Sequence, residues 1–221
     1  GYEVGLRTRL FQRLDLALSL WGLDLDSELV WSGDEGTTES SSATRRVGAE
    51  FESRLRIVDW LHFDLDFTAN DARFRENAGN GDAVALAPRF TLSSGLSVRT
   101  QFGLRGSLRF VGITPRPATE DEFLTAEGTY LLDAFWGYRW RFFEVSVSVE
   151  NMLNLRYKQA QFATTGRLAT DPPTNAPPPP DACPAGTRTQ TSADGNFSGC
   201  QDVHFTPGYP LNARFNLSLY F

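Results

Sequence analysis

The residues of this chain best suited to acid–base chemistry lie close together. His62 alternates with Asp64 and Asp66, so three titratable side chains share one side of a short run. An imidazole beside carboxylates could act as a general acid and base. Charged residues at every second position are also typical of the polar face of a β-strand. We favour the second interpretation and expect neither enzyme activity nor a cofactor, because the sequence has no G-x-S-x-G, P-loop, G-x-G-x-x-G or H-E-x-x-H motif.

A second group is acidic and could supply oxygen ligands to a cation. Asp24, Asp26 and Glu28 alternate along the chain and are followed by the run Asp34-Glu35-Gly36. Their spacing does not match the calcium loop of an EF-hand. A solvated acidic rim is the favoured interpretation, and binding of a cation by Asp24, Asp26 and Glu28 stays open.

The two cysteines, Cys183 and Cys200, form the third group. Zinc binding is disfavoured, because His204 is the only nearby histidine and the spacing matches no zinc motif. In an oxidising compartment the pair would close a loop of about 17 residues, worth about 3 kcal/mol in the chain-entropy model. In the cytosol the same residues would remain free thiols.

All these side chains must be positioned by β-strands, because apolar and polar residues alternate through most of the chain. The clearest run ends on an aromatic residue, with apolar side chains at Leu211, Ala213, Phe215, Leu217, Leu219 and Phe221. About eight further runs have one uncharged face each: 2–10, 14–20, 47–57, 61–69, 90–98, 102–110, 130–140 and 143–149. The phase of the alternation changes near Gly22, which predicts a β-bulge there.

Alternation alone does not separate a soluble sandwich, which buries its uncharged face, from a membrane barrel, which exposes that face to lipid. Most runs hold about 9 to 13 residues, enough for a tilted strand to cross a bilayer of roughly 30 Å. The connections alternate between tight turns and long polar loops at about 32–45, 71–87, 112–128 and 155–207. Aromatic residues collect near the tight turns, as in an interfacial girdle: Phe11, Trp60, Phe102, Trp140, Phe142, Phe143 and Phe221. These features favour the membrane barrel.

Composition is compatible with that fold class. A net charge of -6 and a pI near 5.0 argue against a nucleic-acid partner. The sequence shows no apolar run long enough for a transmembrane helix and no signal peptide at its start. Nine predicted strands do not fit a complete bacterial single-chain barrel, which has an even number of strands. We therefore expect a C-terminal piece of a larger barrel.

Three segments resemble one protein family. The run V-E-N-M-L-N-L-R-Y at 149–157 resembles the V-E-N-L-F-D-x-x-Y signature in the penultimate strand of TonB-dependent outer-membrane receptors, although Met152 and Leu153 replace Leu-Phe. Residues 86–90 resemble the L-x-P-x-h start of an earlier strand, and 208–210 with the Phe-terminated strand resemble the last strand. The resemblance identifies Glu150, Asn151, Asn154 and Tyr157 as motif residues and Phe215, Leu217, Leu219 and Phe221 as the barrel-assembly signal.

The resemblance implies an all-β antiparallel meander of about nine transmembrane strands over residues 1–221, within a barrel of about 22 strands. It implies location in the outer membrane of a Gram-negative bacterium and contact with outer-membrane lipid. The other implied partners are the plug domain and remaining strands of a parent chain, and TonB through that plug; plug and TonB box are absent from this sequence. The implied activity is uptake of a small molecule, with a metal chelate such as a ferric siderophore favoured and haem, vitamin B12 or a glycan as alternatives.

The resemblance also suggests where a ligand would bind. Family members hold substrate with the plug, the extracellular loops and the upper lumen, which here selects aromatic and arginine side chains near the long loops: Trp31, Arg45, Arg46, Arg73, Arg75 and Arg89. Arginine would attract an anionic chelate, and Trp31 would stack on an aromatic one. The proline-rich loop at 155–207 would be extracellular, where a Cys183–Cys200 disulfide is favoured.

Two alternative functions remain open. One is a different outer-membrane barrel, either a passive porin or a barrel enzyme. The other is a soluble all-β binding module. Neither alternative predicts a plug or a TonB box in the upstream sequence.

Overall fold

The computed structural model describes residues 1–27, 42–76, 81–168 and 171–221, together with the backbone of residues 29–32 and 37–40. The described residues form an all-β structure, and no helix among them is long and apolar enough to span a membrane. They contain sixteen strands: β1 (Tyr2–Leu10), β2 (Leu14–Leu25), β3 (Leu29–Ser32), β4 (Thr37–Ser40), β5 (Thr44–Val58), β6 (Leu61–Phe74), β7 (Phe90–Arg99), β8 (Leu104–Ile113), β9 (Arg116–Pro117), β10 (Thr125–Ala126), β11 (Thr129–Trp140), β12 (Phe143–Glu150), β13 (Lys158–Gly166), β14 (Arg188–Thr191), β15 (Phe197–Pro207) and β16 (Asn212–Leu219).

Nine strands form the main sheet, whose antiparallel neighbours follow chain order: β1, β2, β5, β6, β7, β8, β11, β12 and β16. The predicted fold class, an antiparallel meander of about nine strands, is therefore confirmed. Tight turns join the strands at one end of this sheet, which we call the turn end. Long connections join them at the opposite end, the loop end, and carry three small sheets made of β3–β4, β9–β10 and β13–β15–β14.

The alternation gives the main sheet two chemically different faces. One row across the outer face contains the register neighbours Leu18, Phe51, Phe67 and Leu92. The adjacent row on the inner face contains Ala17, Glu52, Asp66 and Ser93. One-residue alternation thus separates an apolar face from a polar one.

The apolar outer face is exposed. Val4 and Phe215 each keep 67% of their accessible surface, and Trp136 keeps 48%. A soluble sandwich would cover such a face with a second sheet. A contiguous apolar surface of this kind marks contact with a membrane or a partner.

The β-bulge predicted at Gly22 is wrong, since the register of β2 with β5 runs without a shift over the whole of β2. Gly22 lies on the outer face beneath the ring of Tyr2, and a Cβ atom there would come within 2.3 Å of Tyr2 Cζ. Because alternation continues, Leu23 and Leu25 fall on the inner face. The change of phase in the sequence therefore marks where the run of apolar side chains on the outer face, which we call the apolar band, comes to an end.

Aromatic side chains gather at the turn end, as predicted. Trp140 and Phe142 both contact Phe143 edge-on, with ring centroids 5.6 and 6.0 Å apart. Phe11 and Phe102 lie in the neighbouring turns and are 89% and 67% exposed. Exposed aromatic rings at strand ends are typical of the interfacial girdle of a membrane barrel.

Candidate functional site

The inner face is a polar surface built from charge pairs. Arg109 reaches from β8 to Asp64 on β6, with 3.2 Å between Nη2 and Oδ2, and donates to Ser93 Oγ at 3.2 Å. Further pairs on this face are Arg9–Asp15, Arg54–Glu52, Arg105–Glu144 and Arg214–Glu150. Asp64 is thus engaged by an arginine, and His62 lies opposite Arg56 and Ser97 in register. His62, Asp64 and Asp66 therefore belong to the polar inner face.

The long connections pack against one another at the loop end. Ala118, Leu124 and Ala126 are at most 4% exposed and form the centre of an apolar cluster. Leu86 joins it from the β6–β7 connection, and Ala163 and Val203 join it from β13 and β15. We call this assembly of three connections the loop cluster. Its residues are small or aliphatic, so the loops come close without a large core.

The acidic run Glu120-Asp121-Glu122 joins the three connections. The Glu120 carbonyl accepts a hydrogen bond of 3.0 Å from the Ala83 amide in the β6–β7 connection. The Glu122 carboxylate accepts from Arg73 at the end of β6 at 3.1 Å and from Arg89 at 3.2 Å. Glu122 has a φ of 58°, a left-handed conformation that is uncommon outside glycine.

Asp121 ties the disulfide-bearing connection to this run. Its carboxylate accepts from the Thr119 hydroxyl at 2.7 Å, forms an ion pair with Arg188 on β14, and accepts from the Phe123 amide at 3.2 Å. Hydrogen bonds to the ionised form lower the pKa of Asp121 to about 2, with the Thr119 hydroxyl the largest cause and Arg188 next among the groups that lower it. The Arg188 guanidinium also lies 4.4 Å from the centre of the Phe123 ring.

A second set of contacts joins β13 to the β8–β11 connection, beside the contacts of Asp121. The Gln161 side chain of β13 accepts from the Glu127 amide at 2.7 Å and donates to the Glu127 carbonyl at 2.9 Å. Gln161 is only 3% exposed, so the paired hydrogen bonds satisfy a buried amide. Lys158 forms an ion pair of 2.8 Å with the Glu127 carboxylate and lies 4.5 Å from the centre of the Phe205 ring.

The disulfide predicted between Cys183 and Cys200 is confirmed. Cys200 belongs to β15, which lies between β13 and β14 in the small sheet of the last long connection. Phe197 of the same strand is fully buried, and Arg167 lies over its ring at 5.7 Å. The bond therefore anchors the proline-rich segment to the small sheet.

The motif residues shape the base of this connection. Asn151 is 3% exposed and has a φ of 49°. Its side-chain amide donates to the carbonyls of Leu155 and Tyr209 at 2.8 and 3.0 Å and accepts from the Leu155 amide at 2.9 Å. Asn154, also at a φ of 49°, accepts from the Leu211 amide at 3.1 Å.

Tyr157 and Glu150 complete this base. The Tyr157 ring covers Gly208, where a Cβ atom would come within 2.2 Å of Tyr157 Cζ. Glu150 accepts from Asn212 and Arg214 of β16, both at 3.4 Å. The motif therefore closes the two ends of the long connection onto each other and fixes the start of β16.

The structure separates the residues predicted to bind ligand. Register places Arg46 on the inner face, opposite Leu23 and Ala72. It places Arg45 and Arg73 opposite each other on the outer face, beyond the apolar band. The ligand role of these residues stays a prediction.

Of the other residues predicted to bind ligand, Arg75 and Arg89 lie near the same end of the sheet. Arg89 shares Glu122 with Arg73, and Arg75 pairs with Asp26 at 3.7 Å. The Trp31 side chain lies outside the described residues.

The predicted acidic rim is described in part. Arg45 Nε lies 2.7 Å from Asp24 Oδ1, so Asp24 and Asp26 are each partnered by an arginine. Glu28, Asp34 and Glu35 lie outside the described residues. Among the residues that are described, no group of three or more His, Cys, Asp or Glu side chains is placed to hold a metal ion.

Sequence reasoning missed the residues that join the loops, namely Asp121, Glu122, Gln161 and Arg188. The acidic run at 120–122 was a visible signal, since three adjacent carboxylates in a loop need cations or solvent around them. Its partners Arg89 and Arg188 are 33 and 67 positions away along the chain. Local patterns do not identify such contacts.

No protein-family model matches the sequence, and no curated protein matches it. Solved structures do. The closed form of the ferric-catecholate import receptor Fiu from E. coli aligns with a TM-score of 0.63 and 16% identity over 99% of this chain and 27% of that one. The unliganded ferric citrate transporter FecA aligns with a TM-score of 0.64 and 14% identity over 98% of this chain and 30% of that one. The ferric yersiniabactin uptake receptor FyuA from Yersinia pestis aligns with a TM-score of 0.57 and 13% identity over 99% and 37%.

These similarities show the fold. The chain has the fold found in part of TonB-dependent siderophore receptors, which are Gram-negative outer-membrane proteins, so the predicted resemblance is confirmed at that level. It spans about 27% to 37% of the length of these three structures.

Proposed function

We propose that this chain is a section of the barrel wall of a TonB-dependent outer-membrane receptor. The observation that carries the proposal is the contrast between the two faces of the main sheet. The outer face is uncharged through the row of Leu18, Phe51, Phe67 and Leu92 and is exposed, whereas the inner face holds the charge pairs. A bilayer favours the first surface, and a lumen that contains water or a polar domain favours the second.

The open edges of the sheet support a larger assembly. Within the described residues, β1 pairs only with β2 and β16 pairs only with β12. Unpaired backbone groups in hydrocarbon cost several kcal/mol each, so a membrane sheet must continue to closure. We infer that the remaining barrel strands of a parent chain pair with these edges, and that its plug domain contacts the inner face and links the receptor to TonB.

The activity we propose is import of a scarce nutrient, with a ferric siderophore favoured over haem, vitamin B12 or a glycan. Fiu, FecA and FyuA are receptors or transporters of ferric compounds, which supports this order. The proposed role is binding and transport without enzymatic catalysis. Ligand would meet the loop cluster first and the upper inner face next, which favours Arg46 over its outward-facing neighbour Arg45 as a contact.

Uptake of radioactive iron from a panel of ferric chelates tests this proposal in cells that produce the full-length parent. We expect uptake of at least one chelate to be lost both on deletion of the receptor gene and on inactivation of TonB. Uptake that continues without TonB would identify a passive porin instead.

A matched pair of variants tests the ligand contact in the same receptor. Arg46→Ala should weaken binding of the transported chelate, whereas Arg45→Ala, one position along the same strand, should leave it close to the parent value. Equal effects of the two substitutions would contradict the inner-face assignment of the ligand.

A further inference from the structure

A groove of about 610 Å³ lies on the inner face at the turn end. Five arginines and three aspartates line it: Arg9, Arg13, Arg54, Arg56 and Arg109, with Asp15, Asp64 and Asp66. His62 lines it as well. Over the whole chain acidic side chains outnumber basic ones, 27 to 21. The groove therefore has an excess of positive charge that the chain as a whole does not have.

A row of alternating charges crosses the middle of the groove and balances itself. In register this row contains Arg9, Asp15, Arg54, Asp64, Gly95, Arg109 and Asp133. Opposite charges on neighbouring strands attract each other. Gly95 leaves the space in which Arg109 reaches Asp64, since a Cβ atom there would lie 2.6 Å from Asp64 Oδ1. The excess positive charge must therefore lie outside this row.

The excess lies nearer the turns, on Arg13 and Arg56. Arg13 Nη1 donates to the Ile57 carbonyl at 3.4 Å, and Arg56 Nη2 donates to the Gln12 carbonyl at 3.3 Å. Within the part of the chain that the structure describes, neither guanidinium forms an ion pair with a carboxylate. His62 lies opposite Arg56 in register and adds no negative charge. Two adjacent guanidiniums thus remain available to an incoming anion.

The inner end of the groove presents an acceptor instead. Asp66 lies opposite Glu52 and Ser93 in register. Its Oδ1 atom is buried and accepts no hydrogen bond from any described residue. A buried acceptor without a partner is costly, so an N–H group fits there. Asp66 lies four residues beyond His62 on β6, about 13 Å along the strand. One small anion cannot span that length, whereas an extended peptide can.

We propose that this groove is the docking site for an acidic segment of the parent chain outside residues 1–221. Carboxylates of that segment meet Arg13 and Arg56 near the turns, and one of its N–H groups donates to Asp66. Complementary charge of this kind fixes the register of a contact. The inference rests on the proposed function, because it places another domain of the parent inside the lumen. It deepens that function by assigning the place and the chemistry of the contact.

Site-specific photocrosslinking of the full-length parent in intact cells tests the site. The photoreactive residue p-benzoylphenylalanine replaces Gln12, which lines the groove, or Leu10 on the outer face as the control. We expect position 12, and not position 10, to crosslink within the same chain to an upstream peptide that contains aspartate or glutamate.

Charge reversal tests the chemistry of the contact. Arg56→Glu should lower the crosslinking yield at position 12 about tenfold. Arg141→Glu, in another tight turn at the same end of the sheet, is the matched control and should leave the yield unchanged. Replacement of the carboxylate in the crosslinked peptide by lysine should restore the yield in Arg56→Glu.

A crosslinked peptide without aspartate or glutamate would overturn the proposal, and so would a crosslink to a separate protein or no crosslink at all. Equal yields in Arg56→Glu and Arg141→Glu would overturn it as well. Fractionation of the parent separates this failure from failure of the proposed function. If the parent is recovered in the outer membrane without the expected crosslink, only the docking site is wrong. If it is not recovered there, the barrel-wall function is wrong as well.

Discussion

At the scale of single residues, Asp121 and Asn151 each help to hold a long connection in place. Asp121 joins β14 to the β8–β11 connection through Arg188, and Asn151 closes the base of the last connection through three side-chain hydrogen bonds. Each also reaches one residue far away in the chain, Arg188 for Asp121 and Tyr209 for Asn151. Loss of either should therefore loosen a whole connection while the main sheet keeps its pairing.

Asp121→Asn should free β14 from the loop cluster, because the amide cannot form the ion pair with Arg188. Hydrogen exchange of residues 188–191 in the full-length receptor should rise, while exchange in β6 and β7 should not change. Asp194→Asn, an exposed carboxylate in the turn after β14, is the matched control. Unchanged exchange at 188–191 in Asp121→Asn would contradict the tie.

The same residue predicts a dependence on pH. The pKa of Asp121 is lowered from 3.8 to about 2, so its ionised form is the one stabilised by folding. The contribution is complete above pH 3.8 and is lost as the pH falls toward 2. Protection of residues 188–191 from hydrogen exchange should therefore fall over that interval in the parent and stay constant in Asp121→Asn.

The backbone conformation of Asn151 and the hydrogen bonds of its side-chain amide can be tested separately. Asn151→Gly keeps the left-handed φ of 49° but removes the three side-chain hydrogen bonds, whereas Asn151→Ala loses both. Unsatisfied carbonyls at a buried site cost about 1 to 3 kcal/mol, so both variants should lower the unfolding temperature of the assembled receptor. Asn151→Ala should lower it further. If Asn151→Gly matched the parent, the amide would have no structural role.

At the scale of elements, alternation was sufficient to predict the nine strands and their two faces. Period-two alternation is a local property of the sequence, so it can be recognised without knowing which strands pair. Alternation led to a wrong prediction at Gly22, because the apolar residues after it lie on the inner face without any bulge. Gly22 itself lies on the outer face, where the Tyr2 ring covers it. It also did not reveal the small sheets in the loops, since β9 and β10 have two residues each and depend on distant packing.

The assignment of faces on β16 is directly testable. Phe215 and Leu217 lie on the outer face and are 67% and 59% exposed, whereas Asn216 lies on the inner face opposite Ser146. Phe215→Asp or Leu217→Asp should cost about 2 kcal/mol on the lipid face and block assembly of the full-length parent, as should deletion of Phe221. Asn216→Asp should be mild. Equal recovery of all four variants in the outer-membrane fraction would refute the assignment.

At the scale of the whole molecule, the main sheet fits the proposed section of a barrel wall. Its two faces suit lipid and lumen, but β1 and β16 each present one edge without a described neighbour. Those edges carry the backbone groups of Tyr2–Leu10 and Asn212–Leu219. In hydrocarbon such groups need hydrogen-bond partners, so we expect closure to be needed for a stable wall.

Closure can be tested with the chain alone and with its parent. Residues 1–221 produced alone should fail to reach the compact, heat-resistant form that folded barrels show in detergent electrophoresis, because both edges stay unpaired. Joined to the remaining strands of the parent, the same residues should reach it. A Pro substitution at Gly5 of β1, opposite Ser19, tests the pairing of this strand, since proline removes one backbone donor from it. The substitution should impair assembly of the parent and leave the unassembled short chain unchanged. A compact barrel formed by residues 1–221 alone would contradict the prediction, because it would show that nine strands can close.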